Sequence, residues 1–342
     1  MLLLSDKSKK LFDLQPIDDF IEGGKKTVPQ TRKPSILVVG SVNMDLVLRT
    51  PRIPKSGESL IGEFYLYVPG GKGANQAVAA ARLGASVTFV GRVGEDNHGV
   101  RLKEQFRKEG ICTDFLKDDR ENQTGLAVIL LEETGDNRIL VYPGANMAID
   151  MNDVEGAFAR DYDAVLLQLE VPRDVVVKAC HLAREKNIPA ILDAGPAQAF
   201  PLEQLAGLKI LTPNETETCA LTGIEVNTVE DAERAAKVLA EKSKAAFVVI
   251  KMGSKGAILY DNGHVEHFPA YRVRAVDTTA AGDAFTAAMA IHYVQHGDIR
   301  EAIRYANAVG ALTVTRMGAQ PSLPISEEVE LFLNNSIDNE QR

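Results

Sequence analysis

A chain of 342 residues, 45% hydrophobic and 25% charged, has the composition of a soluble globular protein able to bury its own core, as one large domain or two modest ones. That composition excludes a disulfide-stapled miniprotein, a coiled coil and wholesale disorder. The 47 acidic residues against 38 basic ones leave a formal net charge of −9, so no basic field draws the chain to nucleic acid or an anionic membrane.

Residues 1–34 mix lysines (Lys7, Lys9, Lys10, Lys25, Lys26) with Asp6, Asp13, Asp18, Asp19 and Glu22 around Gly23-Gly24. They are expected to form a flexible extension with one short helix near Phe12 to Ile21. The stretch is too acidic for a transit peptide, and Met1-Leu-Leu-Leu4 is too short for a signal-peptide core. No apolar run approaches the ~20 residues a membrane helix needs. Cys112, Cys180 and Cys219 are odd in number, widely spaced and without C-x-x-C, which suits a reducing, cytoplasmic location.

The pattern changes at Ser35. Ile36-Leu-Val-Val-Gly40 is a continuous apolar run ending in glycine, as expected of a strand buried on both faces. Similar runs recur at Val87 to Val90, Ala164 to Leu169, Ala190 to Leu192, Lys209 to Leu211 and Phe247 to Ile250, with helical patterns between most of them. This is βαβ punctuation. It predicts an α/β fold with a central, mostly parallel sheet and helices on both faces, ligands lying at the carboxyl ends of the strands.

Two stretches break that rhythm. Leu46 to Arg49 and Ser59 to Val68 read as strands, as do Thr124 to Leu131 and Arg138 to Tyr142 around the hairpin signal Glu133-Thr-Gly-Asp-Asn137. A small antiparallel sheet within about 46–68 and 124–142 follows, either an edge decoration or a lid. The folded body is expected over 35–335, with a tail at 336–342.

Pro69-Gly-Gly-Lys-Gly-Ala-Asn-Gln76 opens into a helical run, Ala77 to Leu83. It matches neither a P-loop nor the dinucleotide fingerprint, and as a bare pattern it is either a structural turn or a ligand loop. Val276-Asp-Thr-Thr-Ala-Ala-Gly-Asp-Ala-Phe285 runs through small residues into a second helix, Ala284 to Tyr293. A helix N-terminus there can hold a transferring phosphoryl group. Asp283 is then either a proton acceptor or a cap on its own helix. His292 and His296 have a zinc-compatible spacing but no third ligand, and His264 and His267 read as hairpin residues.

Six segments stand together in a single order: Gly40-Ser-Val-Asn-Met-Asp45, Gly70-Gly-Lys-Gly-Ala-Asn75, Gly91-Arg-Val-Gly-Glu-Asp96, Thr212-Pro-Asn-Glu-Thr-Glu217, Asp277-Thr-Thr-Ala-Ala-Gly-Asp283 and Gly318-Ala-Gln-Pro-Ser322. In this the chain resembles the ribokinase-like (PfkB) family of carbohydrate kinases, from about Ser35 to about Leu333. The resemblance implies ATP-dependent phosphorylation of D-ribose at the 5-hydroxyl. By the same likeness Asp283 is the base, with Ala280, Ala281 and Gly282 forming an anion hole. Asn43, Met44, Asp45, Gly71, Lys72, Gly73, Asn75 and Glu170 match sugar-binding positions. Asn214 and Glu217 match the N-x-x-E pattern that helps place Mg²⁺ and the nucleotide phosphates. Lys251, Met252, Gly253, Ser254, Lys255 and Gly256 match a loop lining the ATP site, and Asn307 a position near the adenine.

Potassium is implied as well, at a loop of carbonyls matched by Asp277, Thr279, Thr313, Arg316, Gly318 and Ser322. The resemblance further suggests a homodimer formed through paired lids. Two residues depart from the pattern: Ala284 stands where threonine is common, and Met44 is bulkier than the alanine of some members. A thioether crowding the sugar keeps 2-deoxyribose a competitor; a fructose-type sugar, a nucleoside, or a sugar sensor without turnover are the other readings.

Overall fold

The computed structural model describes residues 32–134, 137–205 and 207–340, and Lys33–Arg342 constitute a single unit. The helix expected near Phe12 to Ile21, and Gly135-Asp136 at the tip of the expected hairpin, lie outside the described residues.

The chain opens with β1 (Ser35–Val39) and β2 (Asn43–Thr50), reaches β3 (Phe64–Gly70), and passes through a single residue into α1 (Lys72–Arg82). β4 (Ser86–Gly94), α2 (Asn97–Lys108), β5 (Cys112–Asp119) and the paired strands β6 (Gly125–Glu132) and β7 (Asn137–Tyr142) follow. Next come α3 (Met151–Ala157), β8 (Ala164–Leu167), α4 (Arg173–Glu185), β9 (Ala190–Asp193) and β10 (Ile210–Thr212). α5 (Glu215–Thr222), α6 (Val229–Ser243), β11 (Phe247–Lys251), β12 (Ala257–Asp261) and β13 (His264–Phe268) lead to α7 (Ala281–His296), α8 (Ile299–Thr313) and α9 (Ser326–Glu340).

Nine strands form the main sheet in the order β13-β12-β11-β10-β9-β8-β1-β4-β5. All pairings from β5 to β11 are parallel, and only the last two, at the β13 edge, are antiparallel. The apolar runs lie at its centre because both faces are covered: Ile36 and Val38 enter one hydrophobic core, while Leu37 and Val39 enter the other. Strand alternation makes that division. The first core also takes in α1, α7 and α8, the second α4 and α6.

A second, four-stranded sheet runs β3-β2-β6-β7. Its outer pairings are antiparallel and its central one, β2 with β6, is parallel. β3 begins at Phe64 rather than near Ser59, and α9 continues to Glu340 through part of the stretch expected as a tail. Asp96 caps α2 by accepting from Gly99 N, and it also takes the backbone N–H of Thr124 at 2.8 Å. The Gly91 to Asp96 segment thereby ties the main sheet to the start of β6.

Candidate active site

The site grows from three turns, one after the central strand β1, one between β3 of the second sheet and α1, and one leading into α7, with β9 and β11 adding residues at their carboxyl ends. After β1 the chain passes Ser41 and Val42 and enters β2 with Asn43 and Asp45 on one face. Alternation sends Met44 the other way, and it is 2% exposed within the hydrophobic core. The expectation that Met44 crowds the sugar is therefore corrected: it is not brought together with its two neighbours.

Glycines clear the space around those neighbours. Across the register Asn43 faces Gly70 on β3 and Gly125 on β6. A Cβ on Gly70 would stand 2.0 Å from Asp45 Oδ2, and one on Gly125 would stand 2.1 Å from Asn43 Oδ1. Asn146, which no motif marked, fixes the turn by donating to Asn43 Oδ1 at 2.7 Å and accepting from Val42 N at 2.9 Å. Glu170 accepts from the Ser41 hydroxyl and from Lys72 N. A cavity of about 610 Å³ is lined by Ser41, Asn43, Asn146, Leu169, Glu170 and Phe200, among others.

The glycine-rich loop is itself helix. α1 starts at Lys72, not Ala77, and Gly71 precedes it at φ 93°, a left-handed setting suited to glycine. Gly73 packs so closely that a Cβ would approach Ser41 N to 2.7 Å. Asn75, one turn in, donates to Asp283 Oδ2 at 2.9 Å and so joins α1 to α7.

α7 begins at Ala281 after Ala280, whose φ of 62° places an alanine in the left-handed region at a cost of about 1 kcal/mol. Strain of that kind is typical of a functional turn. Asp283 lies in the first turn, 4% exposed, and makes no cap on its own helix. Its Oδ1 has no hydrogen-bond partner, and Lys72 Nζ lies 3.8 Å from it. The Asp283 carboxyl rises to about 6: burial, and after it Asp193, push it up against the downward pull of Lys72, the Asn75 hydrogen bond and Lys251. Asp45 rises to about 7, first through burial and then through the like charges of Glu170 and Asp283. For Lys72, burial disfavours the ammonium, but Asp283, Asp193, Glu217 and Glu170 outweigh it and hold the group above the usual lysine range.

Asn214 and Glu217 form a reciprocal cap on α5: Asn214 Oδ1 accepts from Glu217 N, and Glu217 Oε2 accepts from Asn214 N, both at 2.8 Å. The other carboxylate oxygen of Glu217, buried, is 3.8 Å from Lys72 Nζ. A carboxylate held this way at the site's edge fits a hydrated Mg²⁺ accompanying a nucleotide. Lys251 ends β11, and its ammonium is 2.9 Å from Asp193 Oδ2.

The residues after Lys251 divide. Gly253, Ser254 and Lys255 form an exposed turn, whereas Met252 is 2% exposed in the second core. Gly256 is required by contact, since a Cβ would collide with the Phe268 carbonyl. Asn307 donates to the carbonyls of Phe268 and Pro269, both at 3.2 Å. Asn307 and Met252 are thus engaged in packing and are not gathered with the carboxylates.

Asp277 joins two loops. Its Oδ1 accepts from Thr279 N at 2.9 Å and its Oδ2 from Gly318 N at 2.8 Å. With both Asp277 oxygens taken by donors, backbone carbonyls of the two loops would have to supply the oxygens of a potassium site. Thr313 and Ser322 turn their hydroxyls to Val309 and Ala319 carbonyls, and Arg316 pairs with Glu328, so any contribution from these three is through the backbone.

The family model for pfkB family carbohydrate kinases matches residues 33–326. The chain belongs to that family. It is 38% identical to the ribokinase of Haemophilus influenzae over 304 residues, 88% of this chain and 99% of that one. It is 35% identical to a deoxyribokinase of Salmonella typhi over 303 residues, 87% of this chain and 98% of the relative. The solved structure of Arabidopsis thaliana ribokinase complexed with ribose and ATP superposes with a TM-score of 0.81 at 35% identity, covering 88% of this chain and 99% of that one.

Three polar residues of the site carry no motif signal: Asn146, Asp193 and Thr286. Asp193 is fully buried, and its Oδ2 accepts from Lys251, Thr286 and Gln76. A lone aspartate ending an apolar strand, Ala190-Ile-Leu-Asp193, is the one cue the sequence offered.

Proposed function

We propose that this chain transfers the γ-phosphoryl group of ATP to the 5-hydroxyl of D-ribose, giving D-ribose 5-phosphate and ADP. The observation that carries the reading is Asp283: a buried carboxylate at a helix N-terminus, one oxygen fixed by Asn75 and the other unpartnered, with Lys72 beside it. The ribokinase relatives and the ribose- and ATP-bound Arabidopsis structure support ribose and ATP as the substrate pair.

Asn43, Asp45 and Glu170 hold the ribose hydroxyls, the carboxylates suiting a vicinal pair, while Gly71 and Gly73 let the backbone approach the sugar. Asp283 Oδ1 accepts the 5-hydroxyl proton as that oxygen attacks in line. The N–H groups of Gly282 and Asp283 in the first turn of α7 lack helical carbonyl partners and receive the phosphoryl oxygens, joined by Ala281 N, which in the empty site donates weakly to the Thr278 carbonyl at 3.3 Å. Lys72 balances negative charge gathering there. Mg²⁺ bound with the nucleotide supplies further charge neutralisation, with Asn214 and Glu217 placed to hold its water. Gly253 to Lys255 border the nucleotide, and the Asp277 and Gly318 loops hold potassium through their carbonyls.

The kinase body spans 35–335, with 1–34 as an extension and the four-stranded sheet as a lid that excludes water. Tyr65 and Leu140, which are 65% and 75% exposed and which the strand register puts on one face of that sheet, form an apolar lid face that pairs in a homodimer. Among the described residues no helix is long and apolar enough to cross a membrane, and the three free cysteines accord with a cytoplasmic enzyme.

A coupled ADP-release assay with Mg-ATP and potassium, comparing ribose, 2-deoxyribose, fructose and adenosine, tests the assignment. Ribose dominance is expected, and the Asp283→Asn variant should lose at least about a hundredfold in kcat while still binding ribose. Dominance of 2-deoxyribose would move the chain to the activity its Salmonella relative is named for. Absence of ADP release with every acceptor would favour a sugar sensor or an untested acceptor.

A further inference from the structure

Asp193 gathers four donors. Its Oδ2 accepts from Lys251 Nζ at 2.9 Å, Thr286 Oγ1 at 3.0 Å and Gln76 Nε2 at 3.2 Å, and its Oδ1 accepts from Gly195 N at 3.2 Å. The side-chain donors come from β11, α7 and α1. Gln76 follows Asn75, which holds Asp283, and Thr286 lies three residues, just under one helical turn, beyond Asp283. Lys251 Nζ stands 3.5 Å from where a Cβ on Gly282 would lie. The pair is therefore at the junction of both helix N-termini that build the site.

A buried ion pair gives little net stability, because the desolvation of two charges offsets their attraction. Its value here has to be looked for in what it holds. Resting on the kinase reading above, we propose that the Asp193–Lys251 pair is a positioning element for phosphoryl transfer: Asp193 locks α1 to α7, and Lys251 sets an ammonium behind the anion hole at Gly282. Burial pushes the Asp193 carboxyl up, but attraction to Lys251 and Lys72 outweighs it and keeps the group ionised. Without Lys251, that carboxylate would sit uncompensated beside the place where phosphoryl charge has to gather.

The test compares Lys251→Met, Asp193→Asn and the double variant with the wild-type chain, measuring kcat and the KM for ribose and for Mg-ATP, with thermal melts as a check on folding. Each single variant should lower kcat by tenfold to about a hundredfold, the scale of an ångström-sized misplacement, and leave the ribose KM within threefold, because Asn43 and Asp45 are held by β2. The double variant should regain at least tenfold over Lys251→Met, since the uncompensated carboxylate is gone. A single variant with wild-type kcat, a loss confined to the ribose KM, or a double variant no better than Lys251→Met would overturn the proposal. If Lys251→Met gives no cooperative melt, the near-isosteric Asp193→Asn decides alone. A wild-type chain without sugar-dependent ADP release overturns the kinase reading and this proposal together; active wild type beside unaffected variants overturns only the proposal.

Discussion

Asp45 makes ribose binding a proton-linked event. In the unliganded site its carboxyl rises from an ordinary 3.8 to about 7 through burial and the like charges of Glu170 and Asp283, and its Oδ1 has no partner. Sugar hydroxyls donating to that carboxylate favour the ionised form, so binding expels the proton. With a free-state value of about 7, the ionised fraction is about 0.09 at pH 6 and about 0.9 at pH 8. Ribose affinity should therefore rise about tenfold over those two pH units, or about 1.4 kcal/mol, and flatten above. Titration calorimetry without nucleotide, in two buffers of different ionisation heat, should show net proton release that is larger at pH 6 than at pH 8, the roughly 0.9 proton leaving Asp45 at pH 6 being partly offset by uptake at Asp283. Asp45→Asn should abolish that difference. The sign for the empty protein is opposite: a raised folded value means that the contribution of Asp45 to stability is fully present below pH 3.8 and is lost as pH rises through about 7. Equal ribose affinity at pH 6 and pH 8, or proton uptake on binding, would refute the reasoning.

Three further outcomes are expected. Gly70→Ala places a Cβ 2.0 Å from Asp45 Oδ2 and should raise the ribose KM at least about tenfold, with the Mg-ATP KM unchanged in the same kinetic runs. Asp277→Ala frees the Thr279 and Gly318 loops from each other and should erase the response of kcat to added KCl; an undiminished response places the potassium site elsewhere. Leu140→Asp puts a charge on the exposed lid face and should shift equilibrium sedimentation from dimer to monomer, whereas a monomeric wild type removes the lid interface altogether.

The central strands were legible because a parallel sheet covered on both faces demands unbroken apolar runs, and Ile36 to Val39 or Ala164 to Leu167 answer to nothing else. β5 escaped notice because Cys112-Thr-Asp-Phe-Leu-Lys-Asp-Asp119 is a half-exposed edge strand whose polar side chains mask its register. The start of α1 was placed five residues late, since glycines and Asn75 read as loop when only local propensity is weighed; packing against Ser41 and Gly40 makes helix of them. Met44 should have been separated from Asn43 and Asp45 by strand alternation alone. Asn146 and Asp193 could not be found that way. Their partners lie 104 and 117 positions away, at Val42 and Gln76, and only the fold brings such pairs together.

The charge balance of the site gives its chemistry a direction. Glu170, Asp193, Glu217 and Asp283 converge on Lys72, with Lys251 beside Asp193 and Asp283, and Asp45 faces Glu170 and Asp283, so the empty site already carries more negative than positive charge. Protonation of Asp45 relieves part of that excess, which adds to burial, the larger cause, in raising its carboxyl. A triphosphate would add to the excess, and the helix N-termini offer only partial charges against it. Magnesium favours a regime in which phosphate oxygens and water hold most of its coordination positions. Ribose and nucleotide then oppose each other electrostatically: the sugar expels the Asp45 proton and restores a negative charge near Asp283. That restored charge raises the proton affinity of Asp283, strengthening the base at the moment an acceptor hydroxyl is present to be deprotonated.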